Sequence, residues 1–193
     1  MFSNFFRKKP DYEKIFSSDE EVKKYIYSDK TKTSSILGDQ DFINAWLDSK
    51  NFGRITAVIE AEAMKGDIPS LKQMIWISDA FCDDVPNMFS NPQQILEQQT
   101  IYLLNRVKYC VKAMECGLKE QSYYALTSSA RICNLYSNVP GAIDNPIYKS
   151  SLSNVIKFGE AFINSGTSEH ELVKDAKDAI AYFSPMAKLL NVK

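Results

Sequence analysis

A nine-residue pattern occurs twice in this chain and constrains its fold more than any other feature. Residues 84–92 read DVPNMFSNP and residues 138–146 read NVPGAIDNP, and the two align without a gap, 54 residues apart. Each copy lies between two long stretches with helical periodicity. A connecting segment that recurs between helices indicates that the helices around it are repeated as well. The pattern therefore predicts a helical-repeat array, a class of protein that mostly binds other proteins.

Glycine and proline recur in the same order along the predicted helices. Three glycines each fall in the turn within a predicted hairpin: Gly66, Gly117 and Gly166. Three prolines each follow the second helix of a predicted pair: Pro86, Pro140 and Pro185. Asn91 and Asn145 each precede a proline, which predicts an N-cap with proline at the first helical position. We expect an all-α protein of about eight helices in stacked antiparallel hairpins, with an N-terminal helical segment at 1–52 and three hairpins in one domain at 53–193.

Capping boxes predict two further helix starts. Ser18 with Glu21, and Ser168 with Glu171, have the spacing at which a hydroxyl and a carboxylate satisfy the first free N–H groups of a helix. The polar stretch 28–35 is expected to end the helix that begins at Ser18.

Composition and charge exclude several functional classes. The chain has 193 residues, of which 45% are hydrophobic and 12% aromatic, so it can bury a core and is not disordered. A net charge of −1 argues against nucleic-acid binding. No apolar run approaches the roughly 18 residues that span a bilayer. The basic cluster 7–9 follows the first apolar residues, which is not the order of a signal peptide. We expect a cytoplasmic protein that binds neither nucleic acid nor membrane.

No residue pattern typical of catalysis or metal binding is evident, so we expect no enzymatic activity, no cofactor and no metal. The single histidine, His170, is expected in the exposed first turn of a helix. Four cysteines lack a CxxC spacing and are expected to be reduced thiols: Cys82, Cys110, Cys116 and Cys133. Carboxylate pairs such as Asp39 with Asp41 could serve acid–base catalysis if one member were buried, and an enzyme of this kind is the third functional class.

One stretch of the chain resembles the tetratricopeptide-like repeat superfamily, especially its Sel-like branch. Residues 112–126, KAMECGLKEQSYYAL, show an alanine-containing helix, a small-residue turn and a second helix, and 61–71, AEAMKGDIPSL, is a weaker copy. The resemblance covers about 54–136, with a faint third copy at 159–183. Units here span about 50 residues against about 34 in that family. The resemblance implies a right-handed stack of hairpins that binds peptides or proteins on a concave face.

Size, charge and irregular repeats also resemble those of bacterial immunity proteins, which neutralise a toxin by occluding its active site. They resemble helical-repeat adaptors and effector chaperones as well. We therefore expect a non-enzymatic protein-binding protein, with an immunity protein as the first hypothesis and an adaptor or chaperone as the alternative.

The partner surface is expected among acidic and aromatic residues at the hairpin edges. The helix before the first copy of the pattern is expected to end at Phe81, and acidic side chains near a helix C-terminus are locally unfavourable. Solvation in a loop is one explanation for Asp83 and Asp84, and contact with a basic toxin domain is the other. Adjacent tyrosines point about 100° apart on a helix, so one of a pair can face a partner. The expected partner-binding residues are Asp79, Asp83, Asp84, Tyr123, Tyr124 and Asp144.

Overall fold

The computed structural model describes residues 10–192 and confirms the all-α prediction. The described residues form no β-strand; their one 3-10 helix is Ala142–Asp144. Ten α-helices lie in this range: α1 (Tyr12–Ile15), α2 (Asp19–Tyr27), α3 (Lys30–Leu37), α4 (Gln40–Leu47), α5 (Phe52–Met64), α6 (Ile68–Met88), α7 (Pro92–Glu115), α8 (Gln121–Tyr136), α9 (Pro146–Ile163) and α10 (His170–Leu189). The basic cluster 7–9 lies outside the described residues.

The chain divides into two compact units, with the boundary between Glu62 and Ala63 inside α5. The first unit packs its short helices around an aromatic cluster. In this cluster Phe42 lies 5.8 Å from Phe16 and 6.2 Å from Trp46, measured between ring centroids. Phe42 and Trp46 are completely buried, so aromatic packing supplies much of this core.

The polar stretch 28–35 ends the preceding helix as predicted, because α2 stops at Tyr27 with Ser28 as its C-cap, but most of the stretch then forms α3, which was not predicted. Asp29 caps α3 by accepting a hydrogen bond from the Thr31 N–H at 3.1 Å. The buried Thr33 hydroxyl donates to the Ile26 carbonyl of α2 at 2.9 Å, and Leu37 is buried. The cap and the two buried side chains stabilise this polar segment as a short helix.

The second unit is a stack of helices in which each packs against the next, from α6 to α10. α10 also contacts α8, as expected when alternate helices lie in the same layer. Four leucines, one on each of the first four helices, form the fully buried centre of the stack: Leu71, Leu103, Leu126 and Leu152. The predicted arrangement of helical hairpins is therefore confirmed.

All three predicted turn glycines have a positive φ, from 78° to 99°. At Gly117 the turn is a Schellman motif: the Leu118 N–H donates to the Ala113 carbonyl at 3.0 Å, and the Gly117 N–H donates to the Met114 carbonyl at 3.0 Å. Gly117 has a φ of 96°, which only glycine adopts without strain, and it joins α7 to α8.

The two copies of the nine-residue pattern do not form equivalent loops, so that part of the repeat prediction is wrong. In the first copy α6 continues through Pro86 to Met88. In the second copy α8 ends at Tyr136, and a turn and the 3-10 helix follow. Only the ends of the two copies match.

The ends match closely. The Asn91 side chain accepts hydrogen bonds from the N–H groups of the second and third residues after it at 2.8 and 3.4 Å, and Asn145 does the same at 2.8 and 3.4 Å. Both predicted N-caps are thus confirmed.

A side chain of α7 explains why α6 tolerates proline. Pro86 has no N–H, so the carbonyl of Cys82, four residues earlier, has no donor within the helix. The Gln99 side-chain amide donates to this carbonyl at 3.2 Å, and the Cys82 thiol donates to the Gln99 carbonyl at 3.8 Å. This exchange between α6 and α7 replaces the hydrogen bond that the helix loses at Pro86.

Two predictions about α10 are also wrong. Pro185 lies inside this helix, which continues to Leu189. The carbonyl that Pro185 leaves without a donor belongs to Ala181, an exposed residue, so water can bind it. The N-cap is Glu169 and not Ser168, and His170 donates its N–H to the Ser168 carbonyl in the turn before the helix. His170 is exposed, as expected.

Candidate functional site

Two of the predicted acidic residues form ion pairs that join three helices. Because α6 does not end at Phe81, Asp79 and Asp83 lie one turn apart on it. Asp79 Oδ1 lies 2.6 Å from Arg106 Nη1 of α7 and 3.0 Å from Arg131 Nη1 of α8. Asp83 Oδ1 lies 2.5 Å from Arg131 Nη2. These carboxylates therefore link the helices of the stack and are not part of a solvated loop.

The ion pairs of this network differ in burial. The Arg106 side chain is only 9% exposed, and that of its partner Asp79 is 34% exposed. The Asp83 side chain is 67% exposed, and that of Arg131 is 37% exposed. Water screens the Asp83–Arg131 pair strongly and the Asp79–Arg106 pair weakly. The Asp79–Arg106 pair therefore contributes most of the stabilisation that this network provides.

Of the two predicted tyrosines on α8, Tyr124 lies beside this network. The Arg106 guanidinium carbon is 5.4 Å from the centroid of the Tyr124 ring, a cation–π distance. Tyr124 is 41% exposed. Tyr123 is half-buried: its ring centroid lies 5.1 Å from that of Phe162, and its hydroxyl donates to Asp175 at 3.4 Å. Of this pair, Tyr124 is the more accessible to a partner.

The structure does not bring the other two predicted residues into the network. The exposed Asp84 accepts a hydrogen bond from the Asn87 side chain at 2.8 Å, within α6. Asp144 is the last residue of the 3-10 helix and is exposed. Three of the six predicted residues thus lie in or beside the network, and Tyr123, Asp84 and Asp144 do not.

A groove lies next to the ion-pair network, and Arg131 belongs to both. A cavity of about 270 Å³ is lined by Cys82, Gln99, Leu103, Arg131, Asn134 and Leu135. A second cavity, of about 380 Å³, shares Gln99 and Leu135 with the first. Its wall also includes Ile95, Leu96, Val139 and Pro140. We call the two together the α7–α8 groove.

The thiol of the cysteine beside the groove is buried. Cys82 is fully buried, and burial raises the pKa of its thiol above the ordinary value, so the thiolate is disfavoured. Burial also raises the pKa of Cys110 and of Cys133 to about 12. All four cysteines are free thiols, and Cys116 is the exposed one.

The lining of the groove is suited to apolar contact and to hydrogen bonding. Its wall combines aliphatic side chains with carboxamides, and Arg131 is its charged lining residue. Within residues 10–192, no group of three or more His, Cys, Asp or Glu side chains has positions that could hold a metal ion. Such a wall can bury apolar side chains and hydrogen-bond a peptide backbone.

Sequence reasoning missed the arginines and the glutamine that organise this site. Arg106 lies between Leu103 and Val107 on an apolar face of α7, and a charge at such a position requires a counter-charge. That signal was available in the sequence, and Asp79 was a candidate partner. Nothing in the sequence identifies Gln99 as the donor to the carbonyl that Pro86 leaves free.

Neither a protein-family model, nor a curated protein, nor a solved structure matches this chain. None of its described helices combines the length and the apolar character needed to cross a membrane.

Proposed function

We propose that this chain is a non-enzymatic protein-binding protein and that its second unit binds the partner at the α7–α8 groove. The main support is the apolar groove with Arg131 in its wall. The half-exposed Tyr124 lies on the same helix, about two turns before Arg131. Tyrosine and arginine are enriched among the residues that dominate binding energy at protein interfaces, and an adjacent apolar cavity provides a site for a partner side chain.

Among protein-binding functions, we propose that of an immunity protein, which covers the active site of a cognate toxin in the cytoplasm. An ion-pair network that ties α6, α7 and α8 together supports this proposal, because a rigid surface loses little entropy on binding and allows tight inhibition. Helix–glycine–helix turns at Gly66 and Gly117 support a relationship to tetratricopeptide-like repeats.

Coexpression with the protein encoded beside it tests this function. We expect that neighbour to arrest growth when produced alone and to be harmless when produced with this chain, with the two proteins copurifying. Leu135→Arg, which places a charge in the groove, should abolish the rescue, and Leu189→Arg, at a 73% exposed position on α10, should not. Binding without rescue would instead indicate an adaptor or chaperone, and a neighbour that neither harms cells nor binds would refute the immunity proposal.

A further inference from the structure

The α7–α8 groove lies at one end of the second unit, on helices whose ends there are acidic; α9 and α10 bring Lys149 and Lys188 to the same end. Successive helices alternate in direction, so the end of α6, the start of α7 and the end of α8 meet there. No basic residue occurs from 73 to 105, a range that contains Asp79, Asp83, Asp84 and Glu97. The range 132–148 contains Asp144 and no basic residue. The chain is nearly neutral overall, but its charges are therefore unevenly distributed.

Internal ion pairs neutralise only part of this acidic charge. Asp79 and Asp83 pair with the two arginines of the network. Asp84 and Glu97 receive hydrogen bonds from the neutral amides of Asn87 and Gln93, and no described basic side chain pairs with Asp144. All three of these carboxylates are exposed. We call Asp84, Glu97 and Asp144 the rim acids.

The lining of the groove matches a short segment of chain better than a compact ligand. Its two cavities, of about 270 and 380 Å³, share Gln99 and Leu135 in their walls and are each large enough for a bulky side chain. Four carboxamides line them: Gln93, Gln99, Asn134 and Asn138. A carboxamide offers both a donor and an acceptor, as a peptide group does, so such a wall can pair with extended backbone.

We infer that the groove binds an extended segment of the partner in which bulky apolar residues are flanked by lysine or arginine. The apolar side chains enter the cavities, and the basic side chains meet the rim acids. This inference rests on the proposed protein-binding function and specifies the chemistry of the partner. Charge complementarity favours this occupant over an acidic segment, which the rim acids would repel.

Fluorescence anisotropy with synthetic peptides tests the inference on the full chain. The probe is a fluorescein-labelled peptide in which phenylalanine alternates with lysine. One control peptide has glutamate in place of lysine, and the other has alanine in place of phenylalanine. We expect the probe to bind at least about tenfold more tightly than either control, because each loses one of the two kinds of contact. Its affinity should fall as salt is added.

Charge-reversed variants locate the binding. The triple variant Asp84→Lys/Glu97→Lys/Asp144→Lys should lose at least about tenfold in affinity for the probe. Reversal of three exposed acids at the other end of the stack, Glu120→Lys/Glu160→Lys/Glu169→Lys, changes the net charge equally and should leave the affinity unchanged. Circular dichroism checks that both variants are folded.

Filling the groove provides a second test that does not depend on charge. Leu135→Trp, at a half-buried position shared by both cavities, should weaken binding of the probe. Leu189→Trp, at an exposed position on α10, should leave this binding unchanged. Three results would each overturn the inference. The rim and far-end variants could bind the probe with equal affinity, or the glutamate peptide could bind as tightly as the probe. Sedimentation velocity could also show a dimer in which a second copy of the chain covers the groove. If the rim variant still neutralised a toxin as well as the natural chain, this inference would fail and the proposed function would stand.

Discussion

Removal of the Asp79 carboxylate should destabilise the second unit more than any other single change to an exposed or half-buried acid. Asp79→Ala leaves Arg106, with a side chain only 9% exposed, without the carboxylate that lies 2.6 Å from it. Removal of one partner of a buried ion pair lowers the free energy of unfolding by roughly 3–5 kcal/mol. Because Asp79 itself is 34% exposed and water can partly replace it, we expect a loss of about 3 kcal/mol.

Urea unfolding followed by circular dichroism measures this loss. With a slope of about 2 kcal/mol per molar urea, the midpoint should fall by roughly 1.5 M. Asp83→Ala is the matched control, one turn away on the same helix. Its side chain is 67% exposed, so we expect it to cost only about 0.5 kcal/mol.

A double replacement separates loss of the charge pair from loss of packing. Asp79→Leu/Arg106→Met removes both charges and fills their space with apolar groups, which is often neutral for a buried pair. We expect this variant to recover to within about 1 kcal/mol of the natural chain. The reasoning is refuted if Asp79→Ala costs no more than Asp83→Ala, or if the double replacement is less stable than Asp79→Ala alone.

Four further outcomes can be checked on the same protein. Asn91→Ala and Asn145→Ala should each cost about 1 kcal/mol in urea unfolding, with similar values because the two caps share one geometry. Gly117→Ala should lower the free energy of unfolding by about 1–2 kcal/mol, measured as a shift in the urea midpoint, because the φ of Gly117 is 96°. Nothing lies near the added methyl group, so backbone strain is the expected cause and a result near zero would contradict the assigned turn. Gln99→Ala should cost about 1–2 kcal/mol by removing the donor to a half-buried carbonyl, and Gln99→Glu, which cannot donate when ionised, should not restore it. At pH 8 a thiol reagent should label only Cys116 in the folded chain and all four cysteines in denaturant, because burial raises the pKa of the other three thiols; rapid labelling of a second thiol under native conditions would contradict their burial.

The sequence predicted correctly the features that depend on local chemistry. Asn-Pro pairs at Asn91 and Asn145 specify helix starts, because an N-cap side chain and a missing N–H act within a few residues of the chain. A glycine after a periodic stretch specifies a turn such as that at Gly117, because its backbone alone permits the required φ. Helical periodicity likewise specified α7, α8 and α9 with their buried faces.

The candidate site could be predicted only in part. Asp79, Asp83 and Tyr124 were predicted as partner-binding residues. What brings them together is their contacts with Arg106 of α7 and Arg131 of α8. Sequence periodicity does not give the axial register of one helix against another, so the pairing of these side chains could not be derived from it.

The two copies of the nine-residue pattern share four residues and adopt different structures, and a tertiary contact is part of the reason. Pro86 continues a helix because the Gln99 amide of α7 satisfies the carbonyl that the proline leaves free. Pro140 lies in a turn after α8, with Gly141 at a φ of 76° beside it. The sequence by itself determined the helices, their caps and the glycine turns, because those interactions are local. The length of α6, the ion-pair network and the groove were decided by the tertiary structure, because each requires side chains that are distant in sequence to meet.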